Sequence, residues 1–508
     1  RMGCLIITTF LIVLLGVFIK LAIDKPPNKS FLCHAFDFDC PEFEITGDFH
    51  PAYYVVRQLF QQHFENGLEK AAQLVVYSNG KKVVDLVGGN RVDNIPMKQD
   101  DLAVIFSSTK VIESLIAAML VNKGLIKYDT LIKDVWPAFG VNGKEKITFA
   151  QLMQHSAGLS ALNETMTIKK LKLIGTKQFE DWLAAQPVTW EDENVRTEYH
   201  GLTRGLFTDV IVRRLTGKSL QQMLQEEIID VLNNDEATVD QLEFYLGNVP
   251  DKVDKERVAH HEGAGLLATF LQVMPQMIYP AISDYVHPFF RLSQNETLFF
   301  KEVLSDAASV NARSLTVLEN GAQLRGAHIL ANSKGFRSLQ LASGSGVSNA
   351  RTVAAIINEL AVNSGRLLSK ETLIESVKSK LVFDHNLKHF YNYTNAGWAI
   401  DRLADTKLRN WVGWAGAGGS VTQFNPLLKI AFSYIPTSLA PRLKKPRGQQ
   451  LMRAVVDCQA YEKNLEERLA NGEKLPEFQP IGKEPKHKLK PNAAAEARQI
   501  NLKVNKKQ

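Results

Sequence analysis

The chain has 508 residues, 45% of them hydrophobic, with 32 glycines and 19 prolines. That is enough to bury a large core, and it excludes a fibrous or wholly disordered protein. The net charge is only +6, and much of the excess sits at the end of the chain. No basic stripe interleaved with aromatics occurs, which argues against nucleic acid as a partner.

Residues 4–19, CLIITTFLIVLLGVFI, carry no charge; Lys20 interrupts and LAI follows. About 20 such residues suffice to cross a bilayer, so residues 1–22 are expected to be a transmembrane anchor or a signal segment. Small residues ahead of a cleavage point are missing, which favours an uncleaved anchor and the membrane as a partner. Lys20, Lys25 and Lys29 follow the run and favour a cytosolic body. Asn-x-Ser/Thr sequons at Asn28, Asn163, Asn295 and Asn392, with Cys33 and Cys40 spaced to pair, favour a luminal or extracellular one. The expected location is therefore membrane-anchored with the body luminal or extracellular. Secretion follows if the segment is cleaved, and a cytosolic-facing or organellar body stays open.

Residues 23–45 read as a linker. An amphipathic helix is expected over 53–71, from Tyr54, Val56, Leu59, Phe60 and Phe64. In QLVVYSNGKKVVDLVGG (73–89) two apolar runs flank Asn79-Gly80, the strongest hairpin-turn dipeptide. The middle reads as helices over 147–160, 201–217, 219–233, 265–279 and 350–362, the last capped by Ser348 or Asn349. Strand character returns over 419–435 around Asn425-Pro426, and a final helix occupies 446–463. Sheet at both ends with helices between predicts one mixed body over 46–465. Its sheet part is placed at about 46–110 and 395–465, its helical part at about 111–394, and a basic flexible tail at 466–508.

Residues 105–114, IFSSTKVIES, hold Ser107 and Lys110 three apart at the start of a helical pattern. One turn of helix puts both on one face, where an amine can activate a hydroxyl. The bland alternative is a run of capping residues beside a solvated lysine. Two later segments supply what acyl transfer also needs. TEYHGLTRG offers the Tyr199 phenol for proton transfer, with His200 beside it as a candidate for the substrate pocket. WVGWAGAGGS (411–420) is dense in glycine, so backbone N–H groups at Ala417 or Gly418 can approach an oxyanion, with Trp414 and Gly416 at the rim. His260, His261 and Glu262 lack metal-ligand spacing, so no metal or other cofactor is expected.

Ser107-Ser108-Thr109-Lys110, Tyr199-His200-Gly201 and Trp414-Ala415-Gly416, in that order, resemble the three motifs of serine beta-lactamases and penicillin-binding proteins. The likeness is greatest to the class C-like branch, which includes family VIII carboxylesterases and animal beta-lactamase-related proteins. VWPAFGVNGKEKITFAQLMQHSAGLS (135–160) is similar to that branch's Leu-x-x-His-x-x-Gly-Leu segment. The resemblance implies an α/β (α+β) fold: an antiparallel sheet flanked by helices, with an inserted helical domain. It implies Ser107 as nucleophile, Lys110 as its base, Tyr199 in proton transfer, and the N–H groups of Ser107 and Ala417 as oxyanion hole, with His261 on a loop beside the cleft as part of the substrate pocket. Gly201 stands where the penicillin-type motif has Asn, and Trp414 where it has Lys or His. Trp414 cannot pair with a carboxylate, so a small ester, amide or peptide substrate is expected rather than an antibiotic. An acyltransferase shares every residue of this site. A filament-forming animal relative makes inactive self-assembly, and with it a homo-oligomer, the competing expectation.

Overall fold

The computed structural model describes residues 2–470 apart from 93, 190–195, 237, 239, 264–268, 307–308, 321, 325, 402–404 and 442–444. The predicted basic tail from 471 onward lies outside the described residues. Contact density groups residues 1–459 into one compact unit, and the end of the last helix belongs to a second.

Both ends of the compact unit meet in one ten-stranded sheet whose strand pairs are all antiparallel. Its spatial order runs Ile45–Phe49, Lys81–Val92, Ala71–Ser78, Ile430–Pro436, Val421–Asn425, Val412–Ala415, Ala399–Asp401, His389–Thr394, Ser379–Asp384, with Ile95–Pro96 paired to Lys81–Val92. The first hairpin forms where expected, because Asn79 and Gly80 both take positive φ, 50° and 83°. Strand Ala71–Ser78 then pairs with Ile430–Pro436 across most of the chain, Val76 facing Phe432 and Leu74 facing Tyr434.

Alternation along Ala71–Ser78 splits the core in two. Ala72, Leu74 and Val76 pack with Val56, Phe60 and Phe64 of helix Tyr54–Glu65 and with Leu451 and Val455 of helix Pro446–Ala470. Ala71 and Val75 face the other way, into a larger core with helix Ala350–Ala361 and helix Lys110–Asn122. The fold is thus the expected mixed one: a large antiparallel sheet flanked by helices, with a helical region inserted between its halves.

Several elements differ from the sequence reading. Helix 147–160 shrinks to Phe149–Met153, because His155 turns to φ 60° and ends it. Helix 350–362 ends one residue early, at Ala361, and of its two candidate caps Asn349 is the one that serves. The hairpin Ser379–Asp384/His389–Thr394 forms the edge of the large sheet, within the stretch the sequence assigns to the helical part. Cys33 and Cys40, by contrast, are joined in the disulfide their spacing suggested.

The largest correction concerns the N-terminus. A helix covers Met2–Asp24, and side chains from Phe10 to Phe18 are exposed. Among the described residues, however, no helix is long and apolar enough to cross a membrane. The transmembrane or signal-anchor assignment, the membrane as partner and the membrane-anchored location are therefore withdrawn.

Candidate active site

Ser107 sits at a strand-to-helix turn. Ala103–Val104 pairs with Gly346–Ser348, the chain turns through Phe106–Thr109, and helix Lys110–Asn122 follows. Phe106 holds φ 50°, an outlier for a bulky residue, at a cost of about 1–3 kcal/mol. Neighbouring contacts hold the turn: Ile105 N–H donates to Gly346 O (3.0 Å), and Thr109 Oγ1 donates to Phe106 O (2.5 Å).

The Ser107 hydroxyl lies 2.6 Å from the Tyr199 hydroxyl and 3.3 Å from Lys110 Nζ. Lys110 is fully buried, and its amine donates to the carbonyls of Gly201 (2.7 Å) and Ser343 (2.6 Å). Burial first, then the Arg204 guanidinium, hold that amine well below the ordinary lysine range, against the pull of Glu113. A neutral amine has two N–H groups and one lone pair. With both N–H groups on the two carbonyls, such an amine would turn its lone pair toward the Ser107 O–H.

Arg204 and Glu113 form a fully buried, two-pronged ion pair at 3.0 and 3.1 Å. Thr208 and Ser343 also donate to Glu113, so the carboxylate is satisfied. The pair cancels most of its own charge while keeping a cation near Lys110.

Tyr199 is held on both sides. Asp384 accepts its N–H at 3.2 Å, and Asn386 Nδ2 donates to its carbonyl at 3.3 Å. Asp384 also accepts the Tyr393 hydroxyl (2.8 Å); burial raises the carboxyl to about 6 despite backbone N–H bonds. Burial pushes the Tyr199 phenol up to about 12, against hydrogen bonds with Ser107 and Trp414, so it carries its proton. Trp414 stacks on Tyr199 (5.9 Å) and Tyr393 (5.8 Å), with the Arg204 guanidinium 5.3 Å from its ring centre.

The glycine-rich turn is fastened against Ser107. Ser420 Oγ bonds Ser108 Oγ (3.0 Å) and donates to Ile105 O (3.1 Å). Ala417 is exposed at its crest. Among the described residues, the N–H groups of Ser107 and Ala417 meet no intramolecular acceptor.

Other expected site residues fall elsewhere. His200 is fully buried with both ring nitrogens engaged: Nδ1 lies 2.5 Å from Glu198 O, and Nε2 accepts from Leu159 N–H. Burial lowers it to about 3, so it is a neutral brace for the Tyr199 loop rather than a pocket wall. His261 is buried with its ring edge-on to Phe106 at 5.5 Å, behind the turn that carries Ser107. Of the sequons, Asn163 and Asn295 are exposed, Asn28 Nδ2 donates to Gly67 O and Ser438 Oγ, and Asn392 lies inside a strand. Sequence reasoning passed over Glu113, Arg204, Ser343, Asp384, Tyr393 and Ser420. The one local signal was the dense Ser/Gly run SGSGVS at 343–348.

Residues 56–456 match the family model described as Beta-lactamase. A segment of 194 residues, 38% of this chain, is 31% identical to Esterase/beta-lactamase LipL of Mycobacterium tuberculosis (strain ATCC 25618 / H37Rv). That segment spans 44% of the relative's length. The crystal structure of a family VIII carboxylesterase superposes with a TM-score of 0.63 at 23% identity, over 82% of this chain and all of that one. EstA from Arthrobacter nitroguajacolicus Rue61a gives 0.63 at 24% identity, over 82% and 98%. Likeness at these identities is one of fold.

Proposed function

The chain belongs to the beta-lactamase family, and we propose that it is a serine hydrolase cleaving an uncharged ester, or a comparable amide, through an acyl-enzyme on Ser107. One observation carries the reading: the Ser107 hydroxyl stands between a buried amine at 3.3 Å and a protonated phenol at 2.6 Å. LipL, which shares part of the chain, is described as an esterase/beta-lactamase, and this supports the reaction class.

In this reading Lys110 Nζ takes the Ser107 proton as Oγ bonds to the substrate carbonyl carbon. The N–H groups of Ser107 and Ala417 receive the oxyanion. As the C–O bond to the leaving alcohol breaks, Tyr199 donates its proton to that oxygen, and the Lys110 ammonium reprotonates the phenol. Water then attacks the acyl carbon, giving its proton back along the same path, and Ser107 leaves with a proton. Trp414, whose ring stacks on Tyr199 and Tyr393, brings no cation of its own for a carboxylate, which favours an uncharged acyl group.

The test is intact-mass analysis of the full chain after a fluorophosphonate probe, beside Ser107→Ala. A single adduct lost in the variant is expected. A folded wild-type chain that takes no adduct between pH 6 and 9 would refute the reading.

A further inference from the structure

The turn Gly416–Gly419 has almost no side chains to hold it. Gly418 and Gly419 take φ 80° and 133°, conformations open to glycine at a high cost in chain entropy. Ser420 fastens one side of the turn to Ile105 and Ser108. The other side rests on Arg447, a buried residue at the start of the last helix.

Arg447 Nη2 donates to Gly418 O at 2.9 Å and to Ser438 O at 2.7 Å. Its Nη1 donates to Leu68 O at 2.9 Å and pairs with Glu69 at 2.6 Å. Glu69 is itself buried and accepts the Tyr434 hydroxyl. A Cβ at Gly419 would lie 2.7 Å from Nη2, so the guanidinium is fitted directly beneath the turn. Ala440 N–H also donates to Gly418 O, at 3.0 Å. A planar fork can bind carbonyls of separate segments at fixed angles, which a lysine cannot.

We propose that Arg447 is a positioning residue for the oxyanion site: by gripping the Gly418 carbonyl from beneath, it fixes the turn that presents the Ala417 N–H beside Ser107. The inference rests on the acyl-enzyme reading above. Arg447 does not meet the substrate, because its head is enclosed by Leu68, Glu69, Gly418 and Ser438. Its effect falls on the step in which negative charge develops on the acyl oxygen.

Two variants of the full chain test this. Arg447→Lys keeps a charge opposite Glu69 but loses the fork. Arg447→Met combined with Glu69→Gln leaves no unpaired buried charge, which guards against simple loss of folding. The readouts are the rate of fluorophosphonate acylation at Ser107, kcat and KM on a short p-nitrophenyl ester, and the urea midpoint. The expected result in either folded variant is a fall of about 10- to 100-fold in kcat and acylation rate, with KM within about 3-fold. Wild-type rates in a folded variant would overturn the inference, as would a rise in KM at unchanged kcat, which marks a substrate contact. If the wild type takes no adduct at Ser107, the acyl-enzyme reading itself fails. If it does, and the variants match it, only the role of Arg447 fails.

Discussion

Replacing Gly416 by alanine tests whether the glycine turn must lie hard against the Ser107 turn. Gly416 is outside the left-handed region, so its backbone accepts alanine, and the test isolates packing. An added Cβ would stand 2.5 Å from Ile105 O, 2.2 Å from Ser420 Oγ and 3.2 Å from Phe106 Cβ, where ordinary contact begins at 3.4 Å. Ser420 Oγ can rotate away, although that releases its bonds to Ile105 and Ser108. The Ile105 carbonyl is backbone, itself followed by the strained Phe106, and cannot rotate. The two turns must therefore part by about 0.9 Å, the difference between 3.4 and 2.5 Å. Overpacking of this kind costs about 1–3 kcal/mol of stability. A misplacement near 1 Å at reacting groups costs about 100-fold in rate. Urea unfolding and fluorophosphonate acylation of the Gly416→Ala chain measure the two effects separately. A folded variant acylated at the wild-type rate would refute the geometry argued for Ser107 and Ala417.

The pH dependence of acylation reports Lys110. Because burial and Arg204 hold its amine well below 10.5, the rate should rise with pH through a midpoint far short of that value; a profile flat in the wild type, or unchanged in Lys110→Ala, would contradict a base role. His200 contributes to acid stability, alongside His63, His155 and His261, which burial shifts in the same direction. It titrates near 6.5 when unfolded and about 3 when folded, so between these values the unfolded chain binds more protons. Its contribution is complete above pH 6.5 and lost as pH falls toward 3, at up to about 1.4 kcal/mol per pH unit. His200→Gln should flatten the loss of stability between pH 6.5 and 4 by that slope; urea midpoints that fall equally in both proteins would dismiss it.

Local sequence determined whatever depends on local geometry. The Asn79-Gly80 turn, the helix closed by Gly217 at φ 72°, and the placing of Ser107 one turn from Lys110 follow from residues a few positions apart. The family motifs added Tyr199 and Trp414, and these stand around Ser107 and Lys110. The apolar N-terminal run was legible as a helix, but its length and apolarity misled about a membrane span. Tertiary structure alone decided the state of the site. Lys110 meets carbonyls of Gly201 and Ser343, 91 and 233 residues away, and every residue type carries a carbonyl, so no side-chain pattern announces them. Buried pairs such as Glu113–Arg204 and Glu69–Arg447 read in sequence as ordinary surface charges, since only folding removes the water around them. His200 shows the converse: adjacent to Tyr199 in sequence, it is turned by the backbone into the core, because neighbours in a chain need not share a face.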